Sequence, residues 1–144
     1  VEEVFEAQEM LAEKQGTRLS VKSPSDRPVL VYADKMRIYE ALNNLVVNSI
    51  KYGKTSGKTL VQCIPEGNIV RVEVSDNGIG IAEKDIPRVF ERFYRVDRSR
   101  SRNMGGTGLG LAIVKHIIEA HKQQLSVKSK PGEGTTFGFT LKKA

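Results

Sequence analysis

Apolar residues recur at helical spacing in three stretches of the chain. They predict helices over residues 1–15, from a cap at Asp34 to about residue 52, and from about residue 107 to residue 121. Gly16 ends the first of these helices. The positions that define the three helices are Val4, Met10 and Leu11; then a buried stripe of Ile38, Ala41, Leu42, Leu45, Val46 and, at the same spacing, Ser49; then Leu109, Ile113, Ile117 and Ala120.

Shorter runs with alternating apolar and polar residues predict strands, and turns rich in Pro, Gly, Ser or Asn separate the strands of each pair. A short helical patch is expected at residues 83–93. The order β-β-α-β-β-α-β-β is typical of a largely antiparallel sheet with helices on one face. The predicted strands are residues 18–22, 28–32, 60–64, 69–75, 124–129 and 135–141.

Length and composition indicate one folded domain. The chain has 144 residues, of which 39% are hydrophobic and 28% are charged, so it can bury a core as a single domain over residues 1–144. No apolar run approaches the ~18 residues that a membrane helix needs. Because the chain begins with Val1 and has no signal segment, we expect it to be a piece of a longer protein.

The net charge of +6 is concentrated in one segment. Residues 88–102 hold six arginines against Glu91 and Asp97, which amounts to +4. This distribution favours a local anion site over a uniformly basic surface for nucleic acid. Residues 95–106, rich in Arg and Ser, have few apolar side chains to bury and are predicted to be mobile.

A polar stripe lies on the second predicted helix, opposite its apolar stripe. Glu40, Asn44, Asn48 and Lys51 recur at i, i+4, i+8 and i+11, with Tyr52 alongside. A plain solvated face is an equally good explanation for the Glu and the Lys. Asn, however, is unfavourable inside a helix, and its amide oxygen is a hard ligand suited to Mg²⁺ when phosphates supply negative charge. Lys51 is placed to reach such a phosphate.

The residues after this helix imitate a phosphate-binding loop. Residues 53–59 read GKTSGKT, but three residues separate the glycines where a P-loop has four. A helix precedes the segment and a strand follows it, the reverse of the P-loop order. We interpret it as a loop that ends the helix.

Two glycine clusters occur in the second half of the chain, at residues 76–80 and 105–110. Residues 76–80 read Asp-Asn-Gly-Ile-Gly and follow a predicted strand. The sequence Asp-Asn-Gly is also a common hairpin signal. A carboxylate at Asp76 can accept a hydrogen bond from the adenine amino group, whereas guanine presents a carbonyl oxygen there. Residues 105–110 open a helix, where bare backbone N–H groups can face phosphate, although their spacing is not the dinucleotide fingerprint.

In chain order the motifs are Asn-x-x-x-Asn, Asp-x-Gly-x-Gly, Phe90-x-x-Phe93, Gly-x-Gly-x-Gly and Gly132-x-Gly134-Thr135. Over residues 34–141 this order closely resembles the ATP-binding catalytic domain of bacterial sensor histidine kinases. That superfamily also includes type II topoisomerases, heat-shock chaperone ATPases and mismatch-repair proteins. The resemblance implies an α/β (α+β) two-layer sandwich, with a mixed, mostly antiparallel sheet of about five strands packed on about three helices (a Bergerat-type fold).

The resemblance also implies roles for individual residues. Asn48 would bind Mg²⁺ with Asn44 supporting it, while Lys51 and Arg95 would contact phosphates. Asp76 would accept from adenine. The remaining nucleotide-binding set would be Tyr52, packed on adenine; Gly78 and Gly80, approached closely by the base; Ile81; Phe93, which with Phe90 anchors a mobile lid; Gly106, Thr107, Gly108, Leu109, Gly110 and Leu111 around the phosphates; and Thr135, which reaches the base through a water.

Departures from the pattern bear on mechanism. The ATP-hydrolysing relatives carry a Glu where Asn44 stands, so its absence favours a kinase over the alternatives: a chaperone- or topoisomerase-type ATPase, or a non-catalytic nucleotide-binding or interaction module. The family's phosphoacceptor histidine is followed by an acidic residue. His116 is followed by Ile117 and His121 by Lys122, so neither matches. Ser49 stands where Ala is usual, a change expected to be neutral.

The resemblance further implies partners and a location. The acceptor histidine would lie on the protein's own dimerisation domain, which this chain lacks, and the full-length protein would be a homodimer that signals indirectly through a response regulator. We expect this part to be the cytoplasmic domain of a membrane-anchored sensor kinase, with no nucleic acid partner and no direct membrane contact.

Overall fold

The computed structural model describes residues 1–23, 27–94 and 109–144. In this part of the chain there are three α-helices and one short 3₁₀ helix. The α-helices are α1 (Glu2–Gln15), α2 (Lys35–Tyr52) and α3 (Gly110–Ala120), and the 3₁₀ helix is Ile86–Arg88. The strands are β1 (Arg18–Lys22), β2 (Val31–Tyr32), β3 (Lys58–Glu66), β4 (Ile69–Asp76), β5 (Leu125–Lys130) and β6 (Gly134–Lys143).

The strands form one mixed sheet in the order β1-β3-β4-β6-β2, with β5 also paired to β6. β1 runs parallel to β3, and the other pairs are antiparallel. The predicted sandwich of a mostly antiparallel sheet and three helices is therefore confirmed. The described sheet has six strands instead of about five.

One face of the sheet carries the core. Inward residues alternate along the central strands, such as Val70, Val72 and Val74 of β4, and Phe137 and Phe139 of β6 are almost fully buried. The buried side chains of α2 pack against this layer. The helices thus cover this face of the sheet, and Asp76 at the end of β4 points to the same side as Val70, Val72 and Val74.

The helix α2 forms as its sequence predicts. Asp34 Oδ1 accepts a hydrogen bond from the Arg37 N–H at 3.2 Å, which is the expected cap, and the helix ends at Tyr52 before Gly53. The predicted apolar stripe is confirmed, since five of its six members are buried and Ile38 is half-buried. The P-loop look-alike is the connection from α2 into β3.

Some details of the helices and strands differ from the prediction. Met10 is 83% exposed, because α1 turns Val4 and Ala12 to the core instead. Ala120 is also exposed, and α3 buries Val114, Ile117 and Ile118. The second strand, predicted at residues 28–32, has only two residues in the structure. The helical patch predicted at 83–93 is a single 3₁₀ turn around Pro87. No helix in the described ranges is long and apolar enough to cross a membrane.

A buried pair of hydroxyls links α2 to β3. Ser49 Oγ and Thr59 Oγ1 lie 2.7 Å apart, and the two residues are 2% and 0% exposed. Truncating one member leaves the other buried without this partner, which costs free energy. The structure therefore replaces the expectation that Ser49 is neutral.

We predict that Ser49→Ala lowers the free energy of unfolding by about 1–2 kcal/mol. Adding Thr59→Val should recover most of this loss, because both hydroxyls are then gone. Urea denaturation followed by circular dichroism measures the effect, with Ser20→Ala on the exposed edge strand as the control. A loss no larger than that of the control would show that the pair contributes nothing.

Candidate functional site

Asp76 stands at the end of β4, in a row of polar side chains that crosses three strands. The register pairs it with Thr59 of β3 on one side and Thr135 of β6 on the other. Both threonines are buried, and their hydroxyls are paired with those of Ser49 and Ser129, each at 2.7 Å. Asp76 is thus the one acidic group in the middle of a row of paired hydroxyls.

The Asp76 carboxylate is held by backbone groups. Its Oδ1 accepts from the Gly78 N–H at 2.9 Å. Burial raises the pKa of Asp76 above its usual range, and the backbone N–H groups of Gly78 and Thr135 offset part of that rise. A carboxylate has about four acceptor positions, so two N–H donors leave it able to accept from an amino group on a ligand.

The turn that follows β4 is packed against backbone on both sides. A Cβ at Gly78 would lie 2.3 Å from the carbonyl oxygen of Tyr52, which also accepts from the Ile79 N–H at 3.4 Å. Gly80 has φ +73°, and a Cβ there would lie 2.1 Å from the carbonyl oxygen of Lys130. Contacts within the protein thus require these glycines, whereas the resemblance implied close approach of a base.

Ser129, a residue that sequence reasoning missed, fixes the far side of this turn. Its Oγ accepts from the Ile81 N–H at 2.7 Å and donates to the Gly134 carbonyl at 2.9 Å. The signal was present: Leu125, Val127 and Ser129 are the inward positions of β5, and the last of them is polar. Ile81, expected at the nucleotide, is therefore fixed through its backbone.

Asn77 is the second missed residue. Its Oδ1 accepts from the Lys58 N–H at 2.9 Å, which ties the turn to the first residue of β3. A Cβ at Gly57 would lie 2.8 Å from this same oxygen. The sequence motif included Asn77 without a role, and the structure makes it a brace for the turn.

The polar stripe of α2 leads away from this turn. Asn44, Asn48, Lys51 and Tyr52 are all half-buried, which does not support a plain solvated face. The side chains of Asn44, Asn48 and Lys51 make no hydrogen bond or ion pair to another described residue. From Asn44 to Tyr52 the stripe spans about 12 Å, so it offers a row of polar groups to an elongated ligand.

The start of α3 faces the far end of the stripe. A Cβ at Gly110 would lie 3.5 Å from Asn44 Oδ1. Leu109, Gly110 and Leu111 are half-buried, and the first N–H groups of a helix lack partners within it. The other expected phosphate contacts, Arg95, Gly106, Thr107 and Gly108, lie outside the described residues.

The two phenylalanines expected to anchor the lid are not equivalent. Phe90 packs edge-on against Phe137, with ring centroids 5.8 Å apart. Phe93 is 69% exposed and has φ +63°, a backbone conformation that residues other than glycine rarely adopt. Only Phe90 is anchored in the core, so the expectation that Phe93 packs there is wrong.

A cluster of polar groups holds the chain just after Phe93. The Tyr94 hydroxyl donates to Asp85, and this hydrogen bond raises the pKa of Tyr94. The Arg88 guanidinium lies 4.5 Å from the centre of the Tyr94 ring and pairs with Glu91 at 3.1 Å. The chain is thus fixed up to the residue before Arg95.

The sequence matches the family model of histidine kinase-, DNA gyrase B- and HSP90-like ATPases over residues 33–144. It is 41% identical to the sensor histidine kinase WalK of Bacillus subtilis over 123 residues, which are 84% of this chain and 20% of WalK. It is 43% identical to the phosphate regulon sensor protein PhoR of Pseudomonas aeruginosa over 109 residues, 76% of this chain and 25% of PhoR. The chain thus spans about a fifth to a quarter of these two relatives.

Solved structures show the same fold. The nucleotide-free catalytic domain of histidine kinase ThkA superposes with a TM-score of 0.84 at 29% identity, covering 99% of this chain and 89% of that one. Full-length ShkA in complex with AMPPNP also gives 0.84, at 28% identity, covering 99% of this chain and 29% of that one. By sequence and by fold, the chain belongs to the histidine kinase-, DNA gyrase B- and HSP90-like ATPase family, on the histidine kinase side of it.

Proposed function

We propose that this chain binds Mg-ATP and transfers the γ-phosphoryl group to a histidine on a separate dimerisation domain, as the catalytic part of a two-component sensor kinase. The observation that carries the proposal is a continuous arrangement. A braced carboxylate at Asp76 lies beside the end of α2, and a stripe of amides and one lysine runs from there to the start of α3. This arrangement suits a base at one end and phosphates at the other.

The base end favours adenine over guanine. The Asp76 carboxylate is an acceptor, so it pairs with the amino group of adenine and repels the carbonyl oxygen of guanine. The turn that carries it is fixed by Asn77 on one side and Ser129 on the other. Because the Asp76 carboxylate is held in place, it cannot rotate away from the guanine carbonyl oxygen, and the repulsion remains. ATP should therefore bind tighter than GTP.

The phosphate end suits Mg²⁺. Neutral amide oxygens from Asn48, with Asn44 one turn away, are hard ligands that leave the negative charge to the nucleotide. Mg²⁺, when bound, neutralises charge on the phosphates. Lys51 adds a positive charge to the same stripe, and the start of α3 beside Asn44 contributes backbone N–H groups. Phosphoryl transfer depends mostly on such positioning and charge neutralisation.

Asn44 favours phosphoryl transfer from ATP over hydrolysis of ATP. An amide does not take up a proton from water at neutral pH, so it cannot serve as the general base that hydrolysis needs. The acidic neighbour one turn earlier, Glu40, is paired with Arg37 at 3.3 Å. The chain should therefore hold ATP without splitting it quickly.

We predict that the isolated chain hydrolyses ATP with a turnover far below that of dedicated ATPases, and that it does not label itself. Asn44→Glu should raise phosphate release if the new carboxylate reaches the water, and Asn43→Glu on the neighbouring face of α2 is the matched control. A coupled phosphate-release assay measures both. Rapid turnover by the unaltered chain would favour the ATPase alternative.

The partners follow from the same proposal. The acceptor domain, the homodimer and the membrane anchor would belong to the rest of the protein, and a response regulator would receive the phosphoryl group. Support comes from a similar protein, since ThkA has been solved in complex with the response regulator TrrA.

The test is phosphoryl transfer in trans. The chain is mixed with radiolabelled ATP, Mg²⁺ and the purified histidine-bearing domain of the parent protein or of WalK. We expect label on that domain in an acid-labile, alkali-stable form typical of phosphohistidine. Replacing the acceptor histidine by glutamine should abolish it. Nucleotide binding without any transfer to either acceptor would contradict the kinase and leave a binding module.

A further inference from the structure

A groove of about 460 Å³ lies between α1 and β1, at the outer edge of the sheet. Its floor is apolar, formed by Phe5, Ala12 and Leu19. One wall is acidic, formed by the exposed side chains of Glu6, Glu9 and Glu13 on one face of α1. The described residues that form the candidate nucleotide site do not line this groove.

The backbone of β1 is open along the groove. The Arg18 N–H donates to Gly57 beside β3, so Arg18, Ser20 and Lys22 turn their backbone groups toward β3. Leu19 and Val21 lie between them and turn theirs outward. No described strand pairs with that side of β1. Two residues therefore present unpaired N–H and C=O groups at the edge.

Two further features of the groove call for a ligand. The hydroxyl of Thr17, which lines it, is buried without a hydrogen-bond partner in the described part of the chain. The three glutamates form no ion pair with another described residue, although the whole chain carries +6. The groove is thus a local negative site lined by one hydroxyl without a partner in the described part of the chain.

We propose that this edge binds an extended segment of a partner protein, which adds to the sheet as a strand beside β1. Strand addition satisfies the outward groups of Leu19 and Val21. Side chains on the segment's groove face would be alternately apolar, against Phe5 and Leu19, and basic, toward the glutamates. On its other face the segment meets Arg18 and Lys22, which excludes basic residues there.

The apolar and acidic lining of the groove favours a partner segment over a second copy of this chain. A second copy of the chain would have to bring a strand with apolar and basic residues on one face. The exposed edge strand β5 instead separates them, with Leu125 and Val127 turned inward and Lys128 and Lys130 outward. A partner segment with both types on one face fits the groove.

The test uses a fluorescein-labelled nonapeptide with serine at odd positions and leucine and lysine alternating at even positions. Fluorescence anisotropy should show saturable binding to the chain, and a peptide with glutamate for lysine should not bind. A triple variant, Glu6→Gln, Glu9→Gln and Glu13→Gln, should weaken binding about tenfold. ATP affinity should stay unchanged in that variant, which reports an intact fold.

The backbone part of the proposal has its own test. Val21→Pro removes one outward N–H and should weaken binding by at least tenfold. If that variant is unfolded, two N-methylated forms of the same peptide replace it, one methylated at the leucines and lysines and one at the serines. Antiparallel addition uses the N–H groups of the leucines and lysines and parallel addition those of the serines, so one of the two forms should fail to bind.

Three results would overturn the proposal. They are absence of binding, equal binding of the lysine and glutamate peptides, and equal affinity of the triple variant. Concentration-dependent dimerisation through this edge, lost in the triple variant, would assign the groove to a second copy and would also reject the partner segment.

Discussion

Replacing Asp76 with asparagine is expected to raise the Kd for ATP roughly 30- to 700-fold, with the fold intact. The asparagine can turn its amino group toward the adenine amino group, so a donor faces a donor. Losing a hydrogen bond to a charged acceptor and leaving a buried donor unpaired costs about 2–4 kcal/mol. Isothermal titration calorimetry measures the change, with Glu73→Gln on the opposite face of β4 as the control. Unchanged affinity would remove Asp76 from the base contact.

The same substitution should stabilise the unliganded protein at neutral pH. Burial raises the pKa of Asp76 above its ordinary value of 3.8, so the folded chain holds this proton more tightly than the unfolded chain does. The favourable contribution of the protonated carboxyl is fully present below the ordinary pKa and is lost as pH rises through the folded-state pKa. Asparagine, which stays neutral, does not lose it.

Thermal unfolding at several pH values tests this. The melting temperature of Asp76→Asn minus that of the unaltered chain should grow as pH rises from about 3 toward neutrality. A difference that shrinks over the same range would mean that the carboxylate stabilises the fold. Lower ATP affinity together with higher stability would identify Asp76 as a residue kept for binding at the expense of stability.

Asn48→Ala is expected to lower the rate of phosphoryl transfer roughly 10²–10³-fold, because it removes an oxygen placed where charge must be neutralised. Asn43→Ala is the matched control: it is the same substitution on the same helix, but Asn43 accepts from Gln8 of α1 at 2.8 Å. Single-turnover labelling across a range of Mg²⁺ concentrations gives the rates.

The Mg²⁺ dependence separates a ligand from a merely structural residue. Asn48→Ala should shift the half-saturating Mg²⁺ concentration upward, while ATP binding without Mg²⁺ stays close to that of the unaltered chain. Equal rates in the Asn48 and Asn43 variants, or an unchanged Mg²⁺ dependence, would contradict the assignment.

Local signals predicted the elements of the fold well. Asp34 and the residues that follow it specify α2 through a cap and an apolar stripe, and both appear as expected. The parallel pairing of β1 with β3 was beyond the local pattern, because residues 18–22 carry no mark of their partner strand. Met10 has the spacing of a core residue, but α1 packs at the edge of the sheet and leaves it in solvent.

The candidate site was predicted less completely than the fold. Among the described residues, Asp76 and its turn lie beside the end of α2, and the start of α3 lies beside Asn44 of the same helix. The braces were not visible, because Ser129 and Asn77 act through contacts between segments far apart in the chain. The structure also changes the explanation for glycine at positions 78 and 80. The resemblance implied that a base approaches closely there, whereas in the structure a side chain would collide with neighbouring backbone.

The most direct measurement is an NMR titration of the amide signals with Mg²⁺ and a non-hydrolysable ATP analogue. Among the described residues, we expect saturable shifts in residues 44–52, in residues 76–81, at Thr135 and at the start of α3, with GTP analogues giving much weaker binding. The groove beside β1, including Leu19 and Thr17, should stay unchanged. Shifts centred on that groove, or equal shifts with the guanine analogue, would contradict an adenine nucleotide site built on Asp76 and α2.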